Sequence, residues 1–175
     1  MKTEGNPPFG SLDKLLIRYL GELYDSEHRI TDLTPQFRDA SANETVREVF
    51  RRNFVEIQQR IQLLEAVFRS LDCEPIRFPS YAGLVSGAEA EAWAETSEFK
   101  NAVDDIALLT RSIQLQEHSL VGYSAAKMWA RSLGLTETTV LLRSLINENA
   151  KSLTSLETTL EEASSQVAED HQKFP

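Results

Sequence analysis

Little in this chain forces the backbone to turn. Seven glycines and six prolines leave few sites for tight β-turns, and 41% hydrophobic with 26% charged residues excludes a disordered chain and fits a folded helical one. One cysteine, Cys73, excludes a disulfide within the chain, and a reduced cytoplasmic thiol is expected. Basic residues are too few for a nucleic-acid partner: 18 Lys and Arg stand against 27 Asp and Glu, a net charge of −9. No run nears the ~20 apolar residues of a membrane-spanning helix, and residues 1–10 have no apolar signal core, so a soluble protein with no membrane partner is expected. A nucleophile–base constellation, a phosphate-cradling glycine loop and Glu-x-x-His are all absent from the sequence.

What is present is helical periodicity. After a lead over residues 1–10, Ser11 is placed to cap a first helix with the stripe Leu12, Leu16, Leu20, Leu23, Ile30, Leu33 and Phe37. Asn43 opens a second, with Val46, Val49, Phe50, Phe54, Ile57, Ile61, Leu64, Phe68 and Leu71, which Pro75 and Pro79 end near Asp72. A shorter third pattern spans residues 81–93. The fourth, residues 98–132, has Phe99, Val103, Ile106, Leu109, Ile113, Leu120, Tyr123 and Met128 inward, and closes on Gly134. Thr136 opens a fifth, with Val140, Leu142, Leu145, Ile146, Leu153, Leu156 and Leu160, before a polar tail over residues 164–175. No period-two strand pattern occurs, so the fold class is all-α: an up-and-down four-helix bundle with an additional shorter helix between the second and third long ones.

Each long helix carries a polar residue near mid-length where an apolar one is due: Glu27, Asn53, Gln116 and Asn149. Stacked in a bundle, these meet at one level, which is where di-iron and di-manganese bundles place inward glutamates and histidines. Such ions require anionic oxygen ligands to balance their charge. Here the positions are occupied mostly by neutral amides. Glu56, Glu117 and Glu148 lie at stripe edges, and His118 lies beside Glu117.

Four stretches in this order resemble the YciE/YciF family, also called DUF892: LYDSEHRI at 23–30, RIQLLEAVFRSL at 60–71, YAGL at 81–84, and the EH…Y…LG pattern over 117–134. The resemblance covers residues 12–163. It implies a ferritin-like bundle related in fold to rubrerythrins, dimeric in some members, with a di-metal centre in some and a role loosely linked to stress responses. Position by position, it sets Glu27 at the acid of the family's LYxAEHQ segment. The family's HLEET is NFVEI here, so Asn53 stands for a histidine, Val55 for a glutamate, and Glu56 matches. Ala82 takes a glutamate's place in YAGL. Without a gap, Gln116 falls at the glutamate of the family's VEHYE; one inserted gap would instead bring Glu117 and His118 onto that Glu-His pair. The ungapped register is preferred, because an indel within a helix rotates every later side chain. On the fifth helix, LEEE becomes Ile146, Asn147, Glu148 and Asn149.

The leading expectation is therefore a ferritin-like domain over residues 11–163 whose di-metal site is degenerate. Glu27, Asn53, Gln116 and Asn149 form a buried polar cluster, no cofactor is bound, and the role is binding or structural rather than catalytic. The alternative is a carboxylate oxidase or peroxidase that holds two iron or manganese ions through Glu27, Glu56, Glu117, His118 and Glu148. The resemblance also implies a homodimer.

Overall fold

The computed structural model describes residues 11–79 and 101–173, the side chains of 171–173 excepted. The lead over residues 1–10, the short helix expected over 81–93, Ala82 within it, and the start of the next helix at Glu98 lie outside the described residues. Four helices make up the described chain: α1 Leu12–Ala40, α2 Glu44–Arg69, α3 Ala102–Ser132 and α4 Thr136–Lys173. No strand is found among the described residues.

The first two helices follow their stripes. Leu16, Leu20, Leu23, Ile30, Leu33 and Phe37 of α1 are buried, and the helix runs on through Pro35. The amides that follow its end are tied by a distant side chain: Asp105, itself buried, accepts from the Ala42 and Asn43 amides at 2.8 and 2.9 Å. Asn43 then caps α2 by accepting from the Thr45 amide at 2.7 Å. Val46, Val49, Phe50, Ile57, Ile61, Leu64 and Phe68 point inward from α2.

On α3 the expected stripe is corrected. Val103 and Met128 are 60% exposed, because the inward line runs through Asp105, Ser112, Gln116, Ser119, Gly122, Ala126 and Ala130, with Leu108, Leu109, Ile113 and Tyr123 beside it. Leu109, Ile113, Tyr123 and Gln116 are buried as expected; small and polar side chains hold the other inner positions, so apolar periodicity outlines the face only in part. Gly122 shows why small residues are needed there: a Cβ would fall against the side chain of Leu23 on α1. On α4, Val140 is 46% exposed while Leu142, Leu145, Leu153 and Leu156 are buried; at about 100° per residue, position 140 lies on the far side from 142. The helix also continues to Lys173, through residues expected as a tail. Loss of apolar residues there marks loss of burial, not of helix.

Side-chain contacts give the helix directions. Glu27 meets Arg60 while Tyr24 meets Glu65, so α1 and α2 are antiparallel. Tyr123 meets Glu27 while Asp105 meets Ala42, so α1 and α3 are antiparallel as well. Hence α2 and α3 run the same way. The principal packing pairs are α1 with α2, α2 with α4, α4 with α3, and α3 with α1, which leaves α2 and α3 on a diagonal. The link from the end of α2 to the start of the parallel α3 is therefore a crossing, the single long connection of ferritin-like bundles, of which residues 70–79 are described.

The first part of that crossing is anchored on the outside of α1. The Phe78 amide donates to the Gly21 carbonyl at 3.1 Å, and Arg18 lies over the Phe78 ring at 4.6 Å. Asp25 joins Arg29 at 2.7 Å to Arg77 at 2.9 Å, and is buried beneath them. Burial pushes the Asp25 carboxyl up, but hydrogen bonds and charge from both arginines overcome it, and the net shift is downward.

Candidate functional site

Side chains of all four helices converge in the interior of the bundle. Glu27 from α1, Asn53 and Arg60 from α2, Gln116 from α3, and Asn149 and Ser152 from α4 are all buried, five of them at 0–1% exposure and Asn53 at 2%. Arg60 fills the middle. Its Nε donates to Glu27 Oε2 at 3.2 Å, Nη1 to Ser152 Oγ at 3.0 Å, and Nη2 to Gln116 Oε1 at 3.2 Å. A single guanidinium thus reaches the other three helices.

The remaining groups complete the network. Tyr123 donates to the second Glu27 oxygen at 2.7 Å. Burial, with the charge of Glu27 beside it, raises the phenol well above its ordinary 10.0, so it stays a proton donor. Gln116 donates to Asn53 Oδ1 at 3.0 Å and to Ser112 Oγ at 3.3 Å, and Asn53 donates back to Gln116 Oε1 at 3.4 Å. Asn149 donates to the Gln116 backbone carbonyl at 2.9 Å, and Ser152 to Glu56 at 2.6 Å. Two buried atoms, Ser119 Oγ and Asn149 Oδ1, have no hydrogen-bond partner.

The carboxylate-and-histidine set of the alternative reading is not brought together. With Gln116 inward, Glu117 and His118 are turned about 100° and 200° away and are exposed. Glu148 pairs with Lys151 at 2.7 Å on the outer side of α4. Glu56 is half-buried and held by Ser152. Among the described residues, no three His, Cys, Asp or Glu side chains are grouped so as to hold a metal ion. A di-metal centre needs several anionic oxygens, and the cluster instead has one fully buried carboxylate, already neutralised by an arginine. The donor set does not fit two metal ions.

Arg60 is the functional residue that sequence reasoning passed over. Its signal was available: it lies three residues after Ile57 and four before Leu64, on the same stripe as Asn53. Arginine at such a place ordinarily reaches out along its apolar stem to water. Here Glu27 is close enough to hold it inside.

Comparison with known proteins agrees with this architecture. The E. coli stress protein YciF matches with a TM-score of 0.83 and 20% identity, over 89% of this chain and 98% of that one. YcfI, a putative structural protein from Rhodopseudomonas palustris, matches with 0.82 and 23%, over 88% and 98%. A dodecameric thioferritin from Bacteroides fragilis matches with 0.67 and 14%, over 93% and 91%. No curated protein sequence matches. The family described as "Domain of unknown function (DUF892)" matches residues 11–169, so the chain belongs to the DUF892 family and has its ferritin-like, YciF-type fold.

Proposed function

We propose that this protein is a non-catalytic, structural or binding member of its family, in which the di-metal site has been replaced by a hydrogen-bonded polar core. One observation carries the reading: both oxygens of Glu27, the only fully buried glutamate among the described residues, are taken by Arg60 and Tyr123. The amides Asn53, Gln116 and Asn149 are weak, uncharged metal donors that bond mainly to one another and to Arg60. The YciF-type neighbours, one described as a stress protein and one as a putative structural protein, support a structural role in a stress context; the homodimer is carried over from the family resemblance alone.

Incubation with ferrous or manganous ions, desalting, and metal analysis alongside light scattering test this. The expected result is far less than one metal per chain on a species of twice the chain mass. Retention of close to two metals per chain would overturn the metal-free reading, and a monomer at every concentration would remove the dimer.

A further inference from the structure

We propose that the centre of the bundle is a receptor site for a planar guanidinium cation, and that Arg60 is its built-in occupant. This rests on the metal-free reading above and deepens it by naming the class of ligand that the interior selects. Arg60 is the largest fully buried side chain in the described structure. Its three nitrogens meet three acceptors on three helices at 3.0–3.2 Å: a carboxylate on α1, an amide oxygen on α3 and a hydroxyl on α4. A guanidinium is a flat fork of donors in fixed directions, whereas an ammonium is a point charge. Acceptors spread around such a fork match the first and not the second.

Charge points the same way. Glu27 supplies one negative charge to the fork, and Tyr123 holds its other oxygen. Glu56, the remaining carboxylate nearby, reaches the fork only through Ser152. One charge and two neutral oxygens balance a monocation. They leave a dication undercompensated, with ligands spaced for hydrogen bonds rather than for metal–oxygen contacts of about 2.0–2.6 Å. Asn53 and Ser112 hold Gln116 in place by accepting from its Nε2, which turns Oε1 toward Arg60.

Removing the side chain should expose the receptor. Arg60→Ala is expected to melt about 10 °C below the unaltered protein, since one partner of a buried ion pair is left alone. Millimolar methylguanidinium should then return part of that loss, whereas sodium or tetramethylammonium at equal ionic strength should not, and the unaltered protein should not respond. Adding Glu27→Gln to Arg60→Ala should abolish the response, and Arg60→Lys should recover less than half of the stability lost in Arg60→Ala. If Arg60→Ala does not fold alone, refolding from urea with and without methylguanidinium gives the same readout by helical circular dichroism. Equal effects of all cations, a larger effect of manganous ion than of methylguanidinium, or no recovery with any cation overturns the proposal. Metal retention by the unaltered protein instead overturns the parent reading, so the two failures are distinct.

Discussion

Gln116 uses both ends of its amide, and that is what distinguishes it from a glutamate at the same place. Oε1 accepts from Arg60 and Asn53 while Nε2 donates to Asn53 and Ser112. A carboxylate could accept from Arg60 but could not donate, and it would sit as a second charge near Glu27. Gln116→Leu should therefore cost about 1–3 kcal/mol, because Arg60 Nη2 and the Asn53 amide lose a buried partner. Urea unfolding measures this, and an unchanged midpoint would mean that the network contributes nothing. The polar intrusion at 116 was legible from the sequence because it breaks an apolar stripe. The place of Arg60 on a stripe was legible too, but its burial was not, because that depends on Glu27, a partner distant in sequence.

At the scale of elements, small residues set how closely segments approach. Gly122 lets Leu23 of α1 pack directly on α3, and Gly21 opens the back of α1 to the crossing segment. At Gly21 a Cβ would stand 2.8 Å from the Ile76 carbonyl and would also meet the Phe78 ring. Backbone on one side cannot simply turn away, so Gly21→Ala should lift residues 76–78 from α1. Hydrogen exchange reads this at the Phe78 amide, which donates to the Gly21 carbonyl. Faster exchange there, with α4 core amides unchanged, is expected; unchanged protection at Phe78 would show that the segment is held by the Arg77–Asp25 pair alone. Periodicity placed the starts of α1, α2 and α4 within a few residues, but it ended α4 at residue 163 where the helix runs on to Lys173. On α3 it found Leu109, Ile113 and Tyr123 but also placed Val103 and Met128 inward, because much of that face is built from Ser, Gly, Ala and Gln rather than large apolar groups.

For the whole molecule, pH couples to the same interior. An unfolded tyrosine loses its proton near 10, whereas buried Tyr123 keeps its own well above that. The folded form therefore binds more protons than the unfolded one as pH rises through about 10, and stability falls from there upward. Tyr19 and Tyr24 are shifted in the same direction, chiefly by burial, and contribute to the same slope. Tyr123→Phe should weaken the fold near neutral pH, through the lost bond to Glu27, while flattening this alkaline decline. Denaturant midpoints measured from neutral to strongly alkaline pH check both parts, and an unaltered alkaline slope would place Tyr123 outside the effect.

By itself the sequence determined the all-α class, the starts of α1, α2 and α4 to within a few residues, and the four positions at which polarity enters the core. These are local properties, since a 3.6-residue period and its interruptions can be read along one strand of text. Tertiary structure alone decided that α2 and α3 run in the same direction and that Arg60 stands among the amides, and it settled Gln116 over Glu117 as the inward residue, which the sequence only favoured. Each of these depends on the partner available across the bundle. A buried cation is tolerated only where acceptors from other helices surround it, and that arrangement exists only once the helices have packed.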